Sequence, residues 1–168
     1  AWSRNVDCDN GAWQNDPGKE HGWEGITVFG AIALAESLHH HSKLLDNATR
    51  VAWHDRLRKA TEFVFREFHW NNYANINYPI TASYALSLCG KVLDEARYRD
   101  RGREFARKSL AFLTKPSRLL YGEGEPYEQR SAKGCAPIDL GYNVEGSLPA
   151  LAQYGLLTGD EEVLGPTI

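Results

Sequence analysis

Four short segments of the 168-residue chain gather aromatic rings with amide and acid side chains. The first holds Trp13, His21, Trp23 and Glu24, and the second runs Trp70, Asn71, Asn72, Tyr73, Ala74, Asn75, Ile76, Asn77, Tyr78. The third runs from Tyr121 to Tyr127 and carries Glu123; the fourth spans Asp139 to Glu145 with Tyr142 and Asn143. Flat rings offer faces to sugar rings, while Asn, Asp and Glu hydrogen-bond to hydroxyls. Where such a segment leads into a helix, the helix N-terminus adds partial positive charge suited to a carboxylate. Together these residue types point to a carbohydrate ligand, and to an acidic one in particular.

Carboxylates offer a second chemistry. Asp139 and Glu145 flank one expected helix start, and Glu24 stands at the equivalent point of another. Two carboxyl groups about 5–9.5 Å apart are the apparatus of glycoside hydrolysis. Each feature also has a purely structural reading. Asn favours turns and caps, and Glu24 and Glu145 could simply complement a helix dipole in its first turn. Asn71, Asn72, Asn75 and Asn77 are nevertheless more amides than one cap requires. His39-His40-His41 looks like a metal tract, but adjacent helical positions point about 100° apart, so no metal and no cofactor is expected. Asn47-Ala48-Thr49 reads as a helix cap in preference to a glycosylation site.

The elements that would position these groups are helical. Ile26, Phe29, Ile32, Ala33, Leu34 and Leu38 follow a 3.6-residue stripe, and Val51, Leu57, Ala60, Phe63, Val64 and Phe68 mark the buried face of a second helix. The pattern predicts inner helices at about 23–45, 78–93 and 146–158 and outer helices at about 49–69 and 97–114. The inner ones run through small residues such as Gly30, Ala31, Ala35, Ala82, Ser83, Ala85, Ala150 and Ala152. The outer ones are Arg-rich, with one apolar face, so they should coat an outside. Pro116 to Tyr142 reads as a long loop at the mouth of the site, and Gly165-Pro166 should cut a last helix short. No window alternates with period two, so no sheet is expected. The fold class is all-α, a set of helical hairpins forming part of an (α/α) toroid within one domain over 1–168.

Composition narrows the function classes. A net charge of −3 gives no electrostatic footprint for nucleic acid. No apolar run approaches the ~18 residues of a membrane span. Cys8, Cys89 and Cys135 form no close pair, leaving a Cys8–Cys135 bridge as one possibility. The chain starts at Ala1 and contains no Met, where on the order of four would be usual. It therefore reads as a piece of a longer protein, and a closed ring would need more hairpins than these. A periplasmic or secreted location is expected, with a cytoplasmic one as the alternative.

The helix start Trp70-Asn71-Asn72-Tyr73…Asn77-Tyr78 resembles those of (α/α) toroid carbohydrate-active enzymes, nearest the heparinase II/III and alginate lyase type of polysaccharide lyase. The approach to Trp23 and the ending Leu148-Pro149-Ala150…Thr158-Gly159-Asp160 carry the same likeness. The resemblance implies β-elimination on a uronic-acid-containing glycan. Asn71 or Asn72 would neutralise the uronate carboxylate, and Tyr78 or Tyr73 would act as acid or base. His21 is another candidate base, since Tyr73 stands where such lyases often carry His. Trp23, Glu24, Asn77, Tyr121, Glu123, Tyr127, Asp139, Tyr142 and Asn143 would line the substrate, and Glu145 would be the catalytic acid if the reaction were instead a hydrolysis or epimerisation. A non-catalytic helical-repeat scaffold is the remaining reading.

Overall fold

A computed structural model describes residues 5–16, 22–70, 75–120, 132–135, 138 and 140–167, and among these the structure is helical apart from isolated bridges pairing Asp7 with Trp13 and Leu113 with Leu120. A 3₁₀ turn, Glu24–Ile26, leads into α1 (Thr27–His41), and a second, Ser42–Leu44, closes it. Then follow α2 (Asn47–Glu67), α3 (Asn77–Val92) and α4 (Ala96–Ser109) with its 3₁₀ extension Leu110–Phe112. A short α5 (Leu140–Tyr142) passes through a π-helical turn, Asn143–Ser147, into α6 (Leu148–Thr158), and α7 (Glu161–Thr167) follows.

The sequence dictates the layering. Every residue of α3 from Pro79 to Gly90 is buried, because its run of Ala, Ser, Leu and Gly lets neighbours approach closely. It packs against α1, α4, α6 and α2. A Cβ added to Gly102 of α4 would stand 2.2 Å from Ser87 Oγ and 2.7 Å from the Ser83 carbonyl oxygen, so the α3–α4 contact requires glycine there. On the outside of α4, Arg97 pairs with Glu62, Arg99 with Asp94, Arg101 with Glu104, Arg103 with Asp100, and Arg107 with Asp160 and Glu162. The small-residue helix α3 thus lies inside and the Arg-rich α4 outside, whereas α1 and α6 each keep an exposed face.

Several local expectations are corrected. Asp46, not Asn47, caps α2: its carboxylate accepts the Thr49 N–H and hydroxyl, both at 2.8 Å. Those bonds hold the Asp46 carboxyl below its ordinary 3.8. Phe29 and Val51 are exposed, at 39% and 52%. The face of α1 that reaches α3 carries Val28, Ala31, Ala35 and Leu38 instead. The last inner helix starts at Leu140, inside the stretch expected to be loop. Pro149 explains the π turn before it. Its ring would collide with the carbonyl four residues back, at Glu145, and it has no N–H to give that carbonyl; the wider turn removes the collision. Helix α7 runs on through Gly165-Pro166 to Thr167. No disulfide joins Cys8, Cys89 and Cys135, and complete burial pushes the Cys89 thiol up to about 12.

Candidate functional site

The starts of the inner helices converge. Trp23, just ahead of the first 3₁₀ turn, meets Tyr78 in the first turn of α3 edge-to-face, with ring centroids 5.8 Å apart. Tyr78 meets Phe68, beyond the end of α2, in the same way at 5.9 Å. The third start joins through the π turn, where a Cβ on Gly146 would stand 3.4 Å from Thr81 Oγ1. Parallel inner helices with their N-termini on one face produce this arrangement, since each start then borders the next.

Sequence-local contacts fix each wall. On the α1 side, Thr27 Oγ1 accepts the Trp13 N–H at 2.8 Å and donates to the Trp13 carbonyl at 3.1 Å. This ties the segment 5–16 to the start of α1. Arg56 lies over the Trp13 ring at 3.7 Å and donates to Asp7, Gly11 and Ala12. Glu24 is not loose at the rim, because Asn10 Nδ2 donates to its Oε1 at 3.0 Å. Burial, and then the neighbouring Glu24 charge, push the Cys8 thiol up. Trp23 keeps 45% of its surface exposed beside these groups.

On the α3 side, the Asn77 N–H takes Asn75 Oδ1 at 3.1 Å, and the Asn77 side chain turns inward and is buried. Its Oδ1, and Thr81 Oγ1 one turn later, are buried without a hydrogen-bond partner. On the α5–α6 side, Glu145 is exposed in the π turn and Tyr142 is half-buried. Asn143 instead faces the interior. Its Oδ1 accepts the Leu120 N–H at 2.7 Å, and its Nδ2 donates to the Leu120 carbonyl at 2.9 Å. That amide fastens the chain beyond α4 to the π turn, so Asn143 serves the scaffold of the site.

The expected site residues therefore divide into groups. Trp23 meets Tyr78, the neighbour of Asn77, and Thr81 one turn on borders Gly146 of the π turn that also holds Glu145; Glu24 is held by Asn10, and Asn143 by Leu120. His21, Asn71, Asn72, Tyr73, Tyr121, Glu123, Tyr127 and Asp139 lie outside the described residues. Thr81 was missed by sequence reasoning, because its place in a small-residue run reads as packing. The available signal was its four-residue spacing from Asn77, which places both on one helix face.

A second polar chain links α1 and α3. The Tyr84 hydroxyl donates to Glu36, whose other oxygen lies 3.1 Å from His40 Nε2. Burial, and then Glu36, raise the Tyr84 phenol above its ordinary value. His39, His40 and His41 are exposed at the end of α1. Among the described residues no group of three or more His, Cys, Asp or Glu is placed to hold a metal ion.

Comparison with known proteins gives this face a context. Residues 1–167 match the family described as Ulvan lyase N-terminal domain. The chain is 44% identical over 165 residues to a protein of Formosa agariphila named broad-specificity ulvan lyase, covering 97% of this chain and 26% of that protein. The chain thus spans about a quarter of that relative's length. No solved structure matches it significantly. A polysaccharide-lyase family is the broad class that the helix starts resembled. On the family match and the identity together, the chain belongs to the ulvan lyase N-terminal domain family.

Proposed function

We propose that this chain is the saccharide-binding, all-α part of an ulvan lyase, and that the converging starts of α1, α3 and the α5–α6 rod form its substrate mouth. The observation that carries the reading is the meeting of Trp23 with Tyr78 at the start of α3, and of Thr81 one turn on with Gly146 of the π turn, in a chain 44% identical to a protein named as an ulvan lyase. The reaction is β-elimination on a uronic-acid residue. A base removes the C5 proton, the electron pair forms the C4–C5 double bond, and the C4–O bond breaks with its oxygen taking a proton. A positioned base of this kind contributes typically ~10²–10⁴-fold. Tyr78 is the acid/base candidate within the described residues; Tyr73 and His21 remain candidates, with Asn72 or Asn71 neutralising the carboxylate. The family membership favours this elimination over hydrolysis by Glu145.

The arc of helices supports a toroid in the whole protein. Helix α3, covered on both sides, has no exposed apolar residue. Its two neighbours do: Phe29 and Leu34 border a groove of about 1010 Å³ beside α1 and α2. Leu140, Val144 and Leu156 are exposed along α5–α6. Further hairpins of the same kind would cover both edges. No helix among the described residues is long and apolar enough to cross a membrane, and a polymeric substrate favours a secreted or periplasmic setting.

The test is to add the full natural protein to ulvan and follow both ultraviolet absorbance and reducing ends. Elimination raises the two together, because each cut leaves an unsaturated uronate. Reducing ends without absorbance would mean hydrolysis, and neither signal would remove the enzymatic reading. Tyr78→Phe should lower the rate at least ~10²-fold if Tyr78 transfers the proton.

A further inference from the structure

We infer that Asn77 and Thr81 form a polar notch that takes one hydroxyl group of the bound saccharide; this rests on the saccharide reading of the mouth. Asn77 is 6% exposed and Thr81 2%, and neither Asn77 Oδ1 nor Thr81 Oγ1 has a hydrogen-bond partner. Buried polar groups are generally paired, since an unmet one keeps its full desolvation penalty; among the described residues the indole N–H groups of Trp13 and Trp70 are the others left unmet.

The neighbours show how unusual Thr81 is. Thr61 donates to the Leu57 carbonyl at 2.7 Å, Ser83 to Ile80 at 2.6 Å, Ser87 to Ser83 at 2.8 Å and Ser109 to Phe105 at 2.7 Å. These four buried helical hydroxyls each fall back on a carbonyl one turn earlier. Thr81 does not, although its carbonyl one turn earlier belongs to Asn77. Its oxygen is turned toward the π turn, where Gly146 presents no side chain and a Cβ would stand 3.4 Å away.

The donor and acceptor pattern selects the ligand. Asn77 Oδ1 only accepts, whereas the Thr81 hydroxyl can also donate. A sugar hydroxyl satisfies both at once, giving its proton to Asn77 Oδ1 and accepting the Thr81 proton. Tyr78, the next residue, and the exposed Trp23 ring stand at the rim, where the sugar's apolar face can rest while its hydroxyl enters. The near wall is the π turn, whose Gly146 presents no side chain to the notch.

Thr81→Val keeps the shape and removes the hydroxyl; Thr81→Ser keeps the hydroxyl; Gly146→Ala narrows the notch from its other wall. In the full natural protein, with KM for ulvan, thermal shift by ulvan oligosaccharides and unliganded Tm as readouts, Thr81→Val should raise KM about tenfold with Tm unchanged or higher. Thr81→Ser should stay within about twofold of wild type, and Gly146→Ala should raise KM about fivefold. A Thr81→Val protein with wild-type KM and wild-type oligosaccharide shift would overturn the notch while leaving the lyase reading intact. Should that variant fail to fold, an unchanged KM in Gly146→Ala overturns it instead. A wild-type protein that neither cleaves ulvan nor shifts with its oligosaccharides would remove the saccharide reading and the notch together.

Discussion

Asn143 and Asn77 stand at the starts of neighbouring inner helices, both buried, and their amides are used in opposite ways. Asn143 spends its oxygen and its nitrogen on the backbone of Leu120. Asn77 leaves its oxygen unpaired, beside the equally unpaired Thr81. A buried amide with both ends satisfied makes a rigid joint, so Asn143 contributes to stability. One with an orphaned acceptor detracts from it. The mouth is therefore built from a stabilising wall at the π turn and a destabilising floor at α3, a division expected where binding needs polar groups that folding does not.

Substitutions at the two positions should diverge. The largest effect is expected from Asn143→Ala, which leaves the Leu120 N–H and carbonyl buried and unpaired. At about 1–3 kcal/mol for each orphaned group, the loss should be roughly 2–6 kcal/mol in denaturant unfolding. A loss below about 0.5 kcal/mol would show that water or rearrangement replaces the clamp. Asp46→Asn, at the cap of α2 and remote from the mouth, sets the scale of an ordinary polar contact. The Asp46 carboxyl is held below 3.8 in the folded chain. Its contribution is therefore present above that value and disappears as pH falls through the lower folded one. Asp46→Asn should flatten the acid limb of the stability curve there; an unaltered limb would count against the cap. The smallest effect on stability belongs to Asn77→Leu, which removes the orphaned oxygen. Unfolding free energy should move by less than about 1 kcal/mol, or rise, while ulvan binding weakens. A loss as large as that of Asn143→Ala would erase the contrast between the two asparagines.

Much of the layering was legible in the sequence because residue size decides it. Ala82, Ser83, Ala85 and Gly90 can lie only where helices crowd, and the Arg series of α4 only where water reaches. Periodicity says less about which neighbour covers a stripe. Phe29 fits the apolar repeat of α1 yet faces the open groove, because α3 is met by the smaller Val28, Ala31, Ala35 and Leu38. The π turn escapes a 3.6-residue reading, since it is a register change set by Pro149 and tertiary packing. In the site, the rings and amides were visible as a cluster of types, and Trp23 does meet Tyr78. The opposite roles of Asn77 and Asn143 were not visible. Both are Asn near a helix start, and only the chain beyond α4, folding back to offer Leu120, separates the joint from the notch.

The proposed binding of saccharide at the inner-helix starts is tested most directly by amide hydrogen exchange of the full natural protein with and without ulvan oligosaccharides. Protection is predicted at 22–27, 75–81 and 142–147, with no change at the Arg107–Asp160 corner between α4 and α7. Binding that instead protects the groove between α1 and α2, and leaves those three segments unchanged, would contradict it.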